Sequence, residues 1–230
     1  MKKLNSKARV SEVADVAHRL VGQFAQETTL QNDAFLKGVF TKMKAQTTEI
    51  SVALKKEAAI SKLEEADDLR DETIGNFKQI LLGYKAMRSA QIKGWAERLY
   101  AVFDRYGMRI TRENYSSESA HIESLLRDLS ASDLQDAING LSGVAETIEE
   151  LRTRQTAFHT ERMAYEKAVS EQGATASATS LKNPLLELIN TKLVSFLTAT
   201  QEEEPYKKFA GVVAQVIGEM NETVSRRNKK

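Results

Sequence analysis

Ile74, Phe77, Leu81 and Tyr84 recur at alternating gaps of three and four residues. That spacing gathers the four side chains on one face of an α-helix, and no β-strand presents them together. Continued towards the N-terminus, the same line passes through Arg70, Asp67 and Leu63. A long helix therefore carries a cation and an anion in the seam that should face a core. Asp67 and Arg70 are spaced for a direct pair on one helix. A buried guanidinium has several donors to satisfy, so a neighbouring helix should add a carboxylate or a backbone carbonyl. We read Asp67 and Arg70 as a structural polar pair that fixes the register of this helix. The competing readings are a solvated pair at a splayed helix end and an anion-binding pocket at Arg70. On the structural reading, changing both residues to Leu should be far milder than Arg70→Ala.

The rest of the chain follows the same period. Apolar faces run through Val13, Val16, Ala17, Leu20 and Phe24, and through Leu36, Phe40, Met43, Ile50 and Leu54. Further faces comprise Trp95, Leu99, Val102 and Tyr106, then Ile122, Leu125, Leu126 and Leu129, then Val144, Ile148, Leu151 and Phe158. Leu186, Ile189, Leu193 and Phe196, and finally Phe209, Val213, Val216 and Met220, complete the set. Two prolines and 11 glycines in 230 residues leave few places where a helix must stop. The expected fold is all-α with about eight helices. Ser61 with Glu64, and Ser132 with Gln135, have capping-box spacing, and Ser116 or Ser117 is placed to cap a fifth helix. Gly107 suits a left-handed stop, residues 108–115 a polar connector, and Gly140 to Gly143 a bend. Asn183 with Pro184 suits the start of a seventh helix. Residues 173–180, rich in Ala, Ser and Thr, suit a flexible loop.

The faces also repeat. Val13, Val16, Ala17 and Leu20 map onto Ile122, Leu125, Leu126 and Leu129 at an offset of 109. The second, third and fourth faces map onto the sixth, seventh and eighth at offsets of 108, 112 and 114, and polar Thr47 maps onto polar Gln155. Four matches in order predict a tandem pseudo-repeat. The expected organisation is two four-helix units, residues 1–112 and 113–230, forming an elongated bundle, with one continuous domain as the alternative.

Composition narrows the chemistry. There is no cysteine, which removes disulfides and thiol chemistry and makes structural zinc unattractive. No apolar run long enough to cross a membrane occurs, and none follows Met1-Lys2-Lys3 as a secretion signal requires. The cytoplasm is the expected location. Residues 1–112 hold 20 Lys+Arg and 14 Asp+Glu, and residues 113–230 hold 13 and 18. Halves of opposite sign should attract, which favours a homo-oligomer. The basic residues are scattered and not interleaved with aromatics, so nucleic acid is not an expected partner.

Three stretches resemble a known family. They are Glu65 to Glu72 (EADDLRDE), Phe103 to Gly107 (FDRYG) and Glu118 to Leu129 (ESAHIESLLRDL). Together they are similar to the all-helical proteins of Bacteroides-type bacteria grouped as domain of unknown function six-two-six-one. The resemblance covers most of the chain and is most specific in the first stretch. It implies an all-helical fold and brings no activity with it.

Candidate chemistry is thin. Asp15 with His18, and Glu118 with His121, are carboxylate–histidine pairs on equivalent helices, which makes His18, Glu118 and His121 weak candidates for a metal site. The two pairs are out of register, and His121 is turned away from the seam that holds Ile122. The acids between 64 and 72 suit a solvated helix face; calcium or a basic partner is the alternative, without the loop pattern of an EF-hand. No phosphate-binding glycine loop and no nucleophile elbow occurs, so no catalytic or cofactor-binding residue is assigned and no cofactor is expected. The function that fits best is a non-catalytic helical scaffold or adaptor that self-associates and binds an unknown protein partner. The alternative is a helical bundle that binds a metal ion or small ligand.

Overall fold

A computed structural model describes residues 1–170 and 176–229. Among them there are helices and turns and no strand. The α-helices are α1 (Val10–Gln26), α2 (Ala34–Lys85), α3 (Ala90–Asp104), α4 (Tyr115–Leu129), α5 (Gln135–Gly140), α6 (Val144–Ser170), α7 (Ala178–Glu187), α8 (Val194–Thr200) and α9 (Tyr206–Arg227). A π-helical stretch, Leu188–Leu193, joins α7 to α8 without a break. None of these helices is long and apolar enough to cross a membrane.

Several boundaries differ from the expected ones. The second and third expected helices are one helix, α2, of 52 residues. Ser61 and Glu64 lie in its interior and do not form a capping box. No proline or glycine falls between Val39 and Ile74, and the junction Ala58-Ala59-Ile60 has no breaker, so continuing the helix costs less than ending it. Asn114, rather than Ser116 or Ser117, caps α4 by accepting from the N–H groups of both serines. The connector before it is a 3-10 turn, Met108–Arg112, anchored by buried Ile110. Ser177 caps α7 by accepting from Ser180 N–H, so Asn183 and Pro184 lie inside the helix. Of the expected 173–180 loop, residues 173–175 lie outside the described residues, and Ala178–Ser180 are helical.

Contacts divide the chain into two compact units, residues 1–58 with 168–230, and residues 59–167. The expected division at 112/113 is not where they separate. The reason is α2: at three times the length of the 17-residue α1, it serves one core with its first part and another with its second. The first unit therefore joins α1 and the start of α2 to α7, α8 and α9, and the second joins the rest of α2 and α3 to α4, α5 and most of α6.

The first unit packs α1, the start of α2, α7, α8 and α9 around Val13, Val16, Leu20, Leu36, Met43, Ile189 and Val213. Phe24 stacks on Phe40 at 4.1 Å, and Phe209 meets Phe40 edge-on at 5.8 Å. Two asparagines tie the N-terminal segment to this core. Asn190, in the π-helical stretch, accepts from Leu4 N–H at 2.8 Å and donates to Leu4 O at 2.9 Å. Asn221 of α9 accepts from Asn5 N–H at 2.8 Å and donates to Lys3 O at 2.9 Å. Each amide thus satisfies backbone groups that lie outside any helix.

The second unit packs the rest of α2 with α3, α4, α5 and most of α6. Its core holds Ile74, Phe77, Leu81, Leu99, Phe103, Ile122, Leu125, Leu129, Leu134 and Leu151. Phe77 and Phe103 meet edge-on at 5.9 Å. Gly107 ends the α3 segment at φ 63°, ψ −178°, a conformation open to glycine alone. The α5–α6 bend sits at Gly140 to Gly143, where Gly143 has φ 81° and the Trp95 ring lies against Gly140.

Candidate functional site

At the end of the second core the α2 seam continues past Ile74 to Arg70, which is wholly buried. A buried cation is costly unless each of its donors meets an acceptor. Three helices supply acceptors to its two Nη atoms, while Nε meets none among the described residues. From α2 itself, Asp67 Oδ1 accepts from Arg70 Nη2 at 2.7 Å. From α4, Glu118 Oε2 pairs with the same nitrogen at 2.8 Å, and Ser119 Oγ accepts from Nη1 at 3.0 Å. From α6, Gln155 Oε1 accepts from Nη1 at 3.0 Å. The Phe158 ring, one turn further along α6, lies 3.7 Å from the guanidinium carbon, a cation–π contact. Gln155 passes the network outwards, its Nε2 lying 2.9 Å from His159 Nε2, which is 3.0 Å from Glu123 Oε1.

On the acid side, Asp71 and Glu118 approach each other. Glu118 is 1% exposed. Among the described residues no donor reaches Glu118 Oε1 or Asp71 Oδ1. Burial pushes Glu118 up to about 8, against the pull of Arg70, and Asp71 and Asp67 add to the rise. Burial likewise raises Asp71, opposed by its contact with Glu118 and by Arg70. Two ionised carboxylates are both acceptors, so this approach is stable only with a proton or a cation between them.

The structure brings Asp67 and Arg70 together and seats them in a core seam. It disperses the histidine candidates. His18 is on α1 in the first unit, lining an open groove with Lys44 and Lys55. His121 turns from the seam, its Nδ1 lying 2.8 Å from Glu113 Oε2. Glu118 points the other way, to Arg70. The His, Cys, Asp and Glu side chains gathered closely enough for one metal ion, among the described residues, are Asp67, Asp71 and Glu118.

The spacing in the sequence pointed to Asp67 and to a carboxylate or backbone carbonyl from a neighbouring helix, without saying which residues would supply that and the other contacts. The signal for Glu118 was present: it lies four residues before Ile122, so it continues the α4 seam just as Arg70 continues that of α2. Gln155 showed as a polar position in an apolar face. Ser119 and Asp71 carry no such periodic mark, and only the approach of α2 to α4 selects them.

A family model described as a family of unknown function, DUF6261, matches residues 60–216. No curated protein and no solved structure matches the chain.

Proposed function

The chain belongs to this family of unknown function, and from that premise we propose that it is a non-catalytic helical scaffold or adaptor that self-associates. One observation carries the reading: the two Nη atoms of Arg70 are spent on the chain's own side chains, drawn from three helices, and its face is covered by Phe158. A guanidinium used in this way is a joint between helices rather than a hand held out to an anion. Charge supports self-association. The first unit holds 18 Lys+Arg against 13 Asp+Glu, and the second 15 against 19. Opposite signs on the two units give a second copy an electrostatic reason to dock, the negative unit of one against the positive unit of another. On the same reading the repeated faces are a duplication, each unit using the first two segments of one copy and the last two of the other.

Light scattering across a salt series tests the association. The expected mass exceeds that of a monomer at low salt and falls towards it at about 0.5 M, where screening acts over roughly 4–5 Å. A monomer mass at high micromolar protein and low salt refutes it.

A further inference from the structure

We propose that Asp67, Asp71 and Glu118 form a binding site for one hard divalent cation of the Ca²⁺, Mg²⁺ or Mn²⁺ class. The three carboxyl groups each offer an oxygen, and the three oxygens lie within 4.8 Å of one another. Oxygens bound to one Ca²⁺ at about 2.4 Å are at most about 4.8 Å apart, so a single ion spans them. Proximity of acids alone is common on helix surfaces. The independent observation here is Glu118, which is 1% exposed and whose Oε1 meets no donor among the described residues. A buried acceptor without a donor is costly, and a cation is what such an atom recognises.

Arg70 does not already serve this purpose. Its Nη2 engages Glu118 Oε2 and Asp67 Oδ1. Glu118 Oε1 and Asp71 Oδ1 are left without a donor. Charge points the same way. Three carboxylates against one guanidinium leave two negative charges in excess, and Glu64 and Asp68 stand nearby on the exposed side of α2. A shared proton removes one of those charges; a divalent cation removes both.

The donor set selects the ion class. All the donors are carboxylate oxygens, with no imidazole or thiolate among them, which suits hard cations and not zinc or copper. Asp67 and Asp71 are half-buried, so water reaches their side and completes the coordination shell, as Mg²⁺, Mn²⁺ and Ca²⁺ require. Because the ligands come from α2 and α4, the ion pins these two helices together at the end of the second core. The site stands on its own geometry and does not depend on self-association.

The test uses the full chain after treatment with chelator, with Mn²⁺ as the probe, read by the loss of its free paramagnetic resonance signal. The expected result is saturable binding of one Mn²⁺ per chain, with competition by Ca²⁺ or Mg²⁺. Asp71→Asn keeps the size of the side chain at a half-buried position and should weaken Mn²⁺ at least about tenfold, the lower end of what losing even an outer partner costs a metal site. Asp67→Asn, further from the core, is the second variant and should weaken it in the same direction. Thermal unfolding supplies an independent readout: Mn²⁺ should raise the midpoint of the native chain and not that of Asp71→Asn. Absence of saturable binding by the native chain below about 1 mM, a value at the weak end for such sites, overturns the proposal. So does equal Mn²⁺ affinity in the native chain and both variants, which would place the ion elsewhere.

Discussion

Arg70→Ala is the most informative single change, because it removes a group that joins α2, α4 and α6. The substitution leaves Ser119 Oγ and Gln155 Oε1 without the donor they hold at 3.0 Å, and leaves the acids Asp67 and Glu118 facing each other. It also opens a cavity beneath the Phe158 ring and forfeits the cation–π contact. Breaking a buried ion pair by removing one partner costs about 3–5 kcal/mol. Glu118 is already pushed up to about 8, so it can shed its charge by holding a proton. That escape keeps the expected loss near the lower end, about 3 kcal/mol. Urea denaturation followed by tryptophan fluorescence reads the right unit, because the chain's one tryptophan, Trp95, lies in α3 of the second unit. The companion variant is the Asp67→Leu, Arg70→Leu double change. The sequence alone predicts that double change to be mild. With Glu118, Ser119 and Gln155 still buried and deprived of the guanidinium, it should cost nearly as much as Arg70→Ala. Adding Glu118→Leu should then recover part of the loss. If Arg70→Ala costs less than about 1 kcal/mol, the range of solvated pairs, the cluster is not buried as described and the reasoning fails.

Three further outcomes are expected. Gly140→Ala should destabilise the second unit by about 1–3 kcal/mol, because a Cβ there would lie 2.3 Å from Trp95 Cζ3; a shift in the Trp95 emission maximum should accompany the loss, and a neutral result with unchanged emission would contradict the packing. Gly107→Ala should cost about 1–3 kcal/mol in the same assay, since a side chain is strained at φ 63° with an extended ψ; a neutral Gly107→Ala would mean the turn relaxes. In the first unit, burial pushes the Glu12 carboxyl up, but hydrogen bonds from Arg227 and from the Arg9 backbone N–H outweigh it and hold the group below its ordinary value of 4.5. A carboxyl lowered by folding stabilises the fold above its unfolded value and loses that contribution as the pH falls through the folded one. Glu12→Gln should therefore lower the thermal midpoint at pH 7, and the difference should shrink as the pH falls below 4.5; a difference that does not shrink with falling pH would rule out the ion pair as the cause.

The sequence by itself determined the secondary structure class and the inward face of helices such as α1 and α4, whereas around the π-helical stretch Leu185 and Leu197 are buried in place of Leu186 and Phe196. Residues such as Ile74, Phe77 and Leu81 are marked by a period that the helix backbone imposes locally, and all three are buried. The same period carried the seam down to Arg70, since burial on one helix face follows from spacing alone. Tertiary structure alone decided the rest. Ser61 with Glu64 has the form of a cap, yet a cap forms only where continuing the helix is worse, and the second core rewards continuation through residue 61. Once α2 ran on, its two ends belonged to different cores, and the division of the chain moved from 112/113 to 58/59 and 167/168. The partners of Arg70 were fixed in the same way. Its pair with Asp67 is a contact within one helix and so follows from spacing. Its contacts with Glu118, Ser119, Gln155 and Phe158 span 48 to 88 positions of sequence and arise only when α2, α4 and α6 bury their apolar faces together. Hydrophobic packing sets that approach, and the packed helices, not the local sequence, choose which polar groups meet.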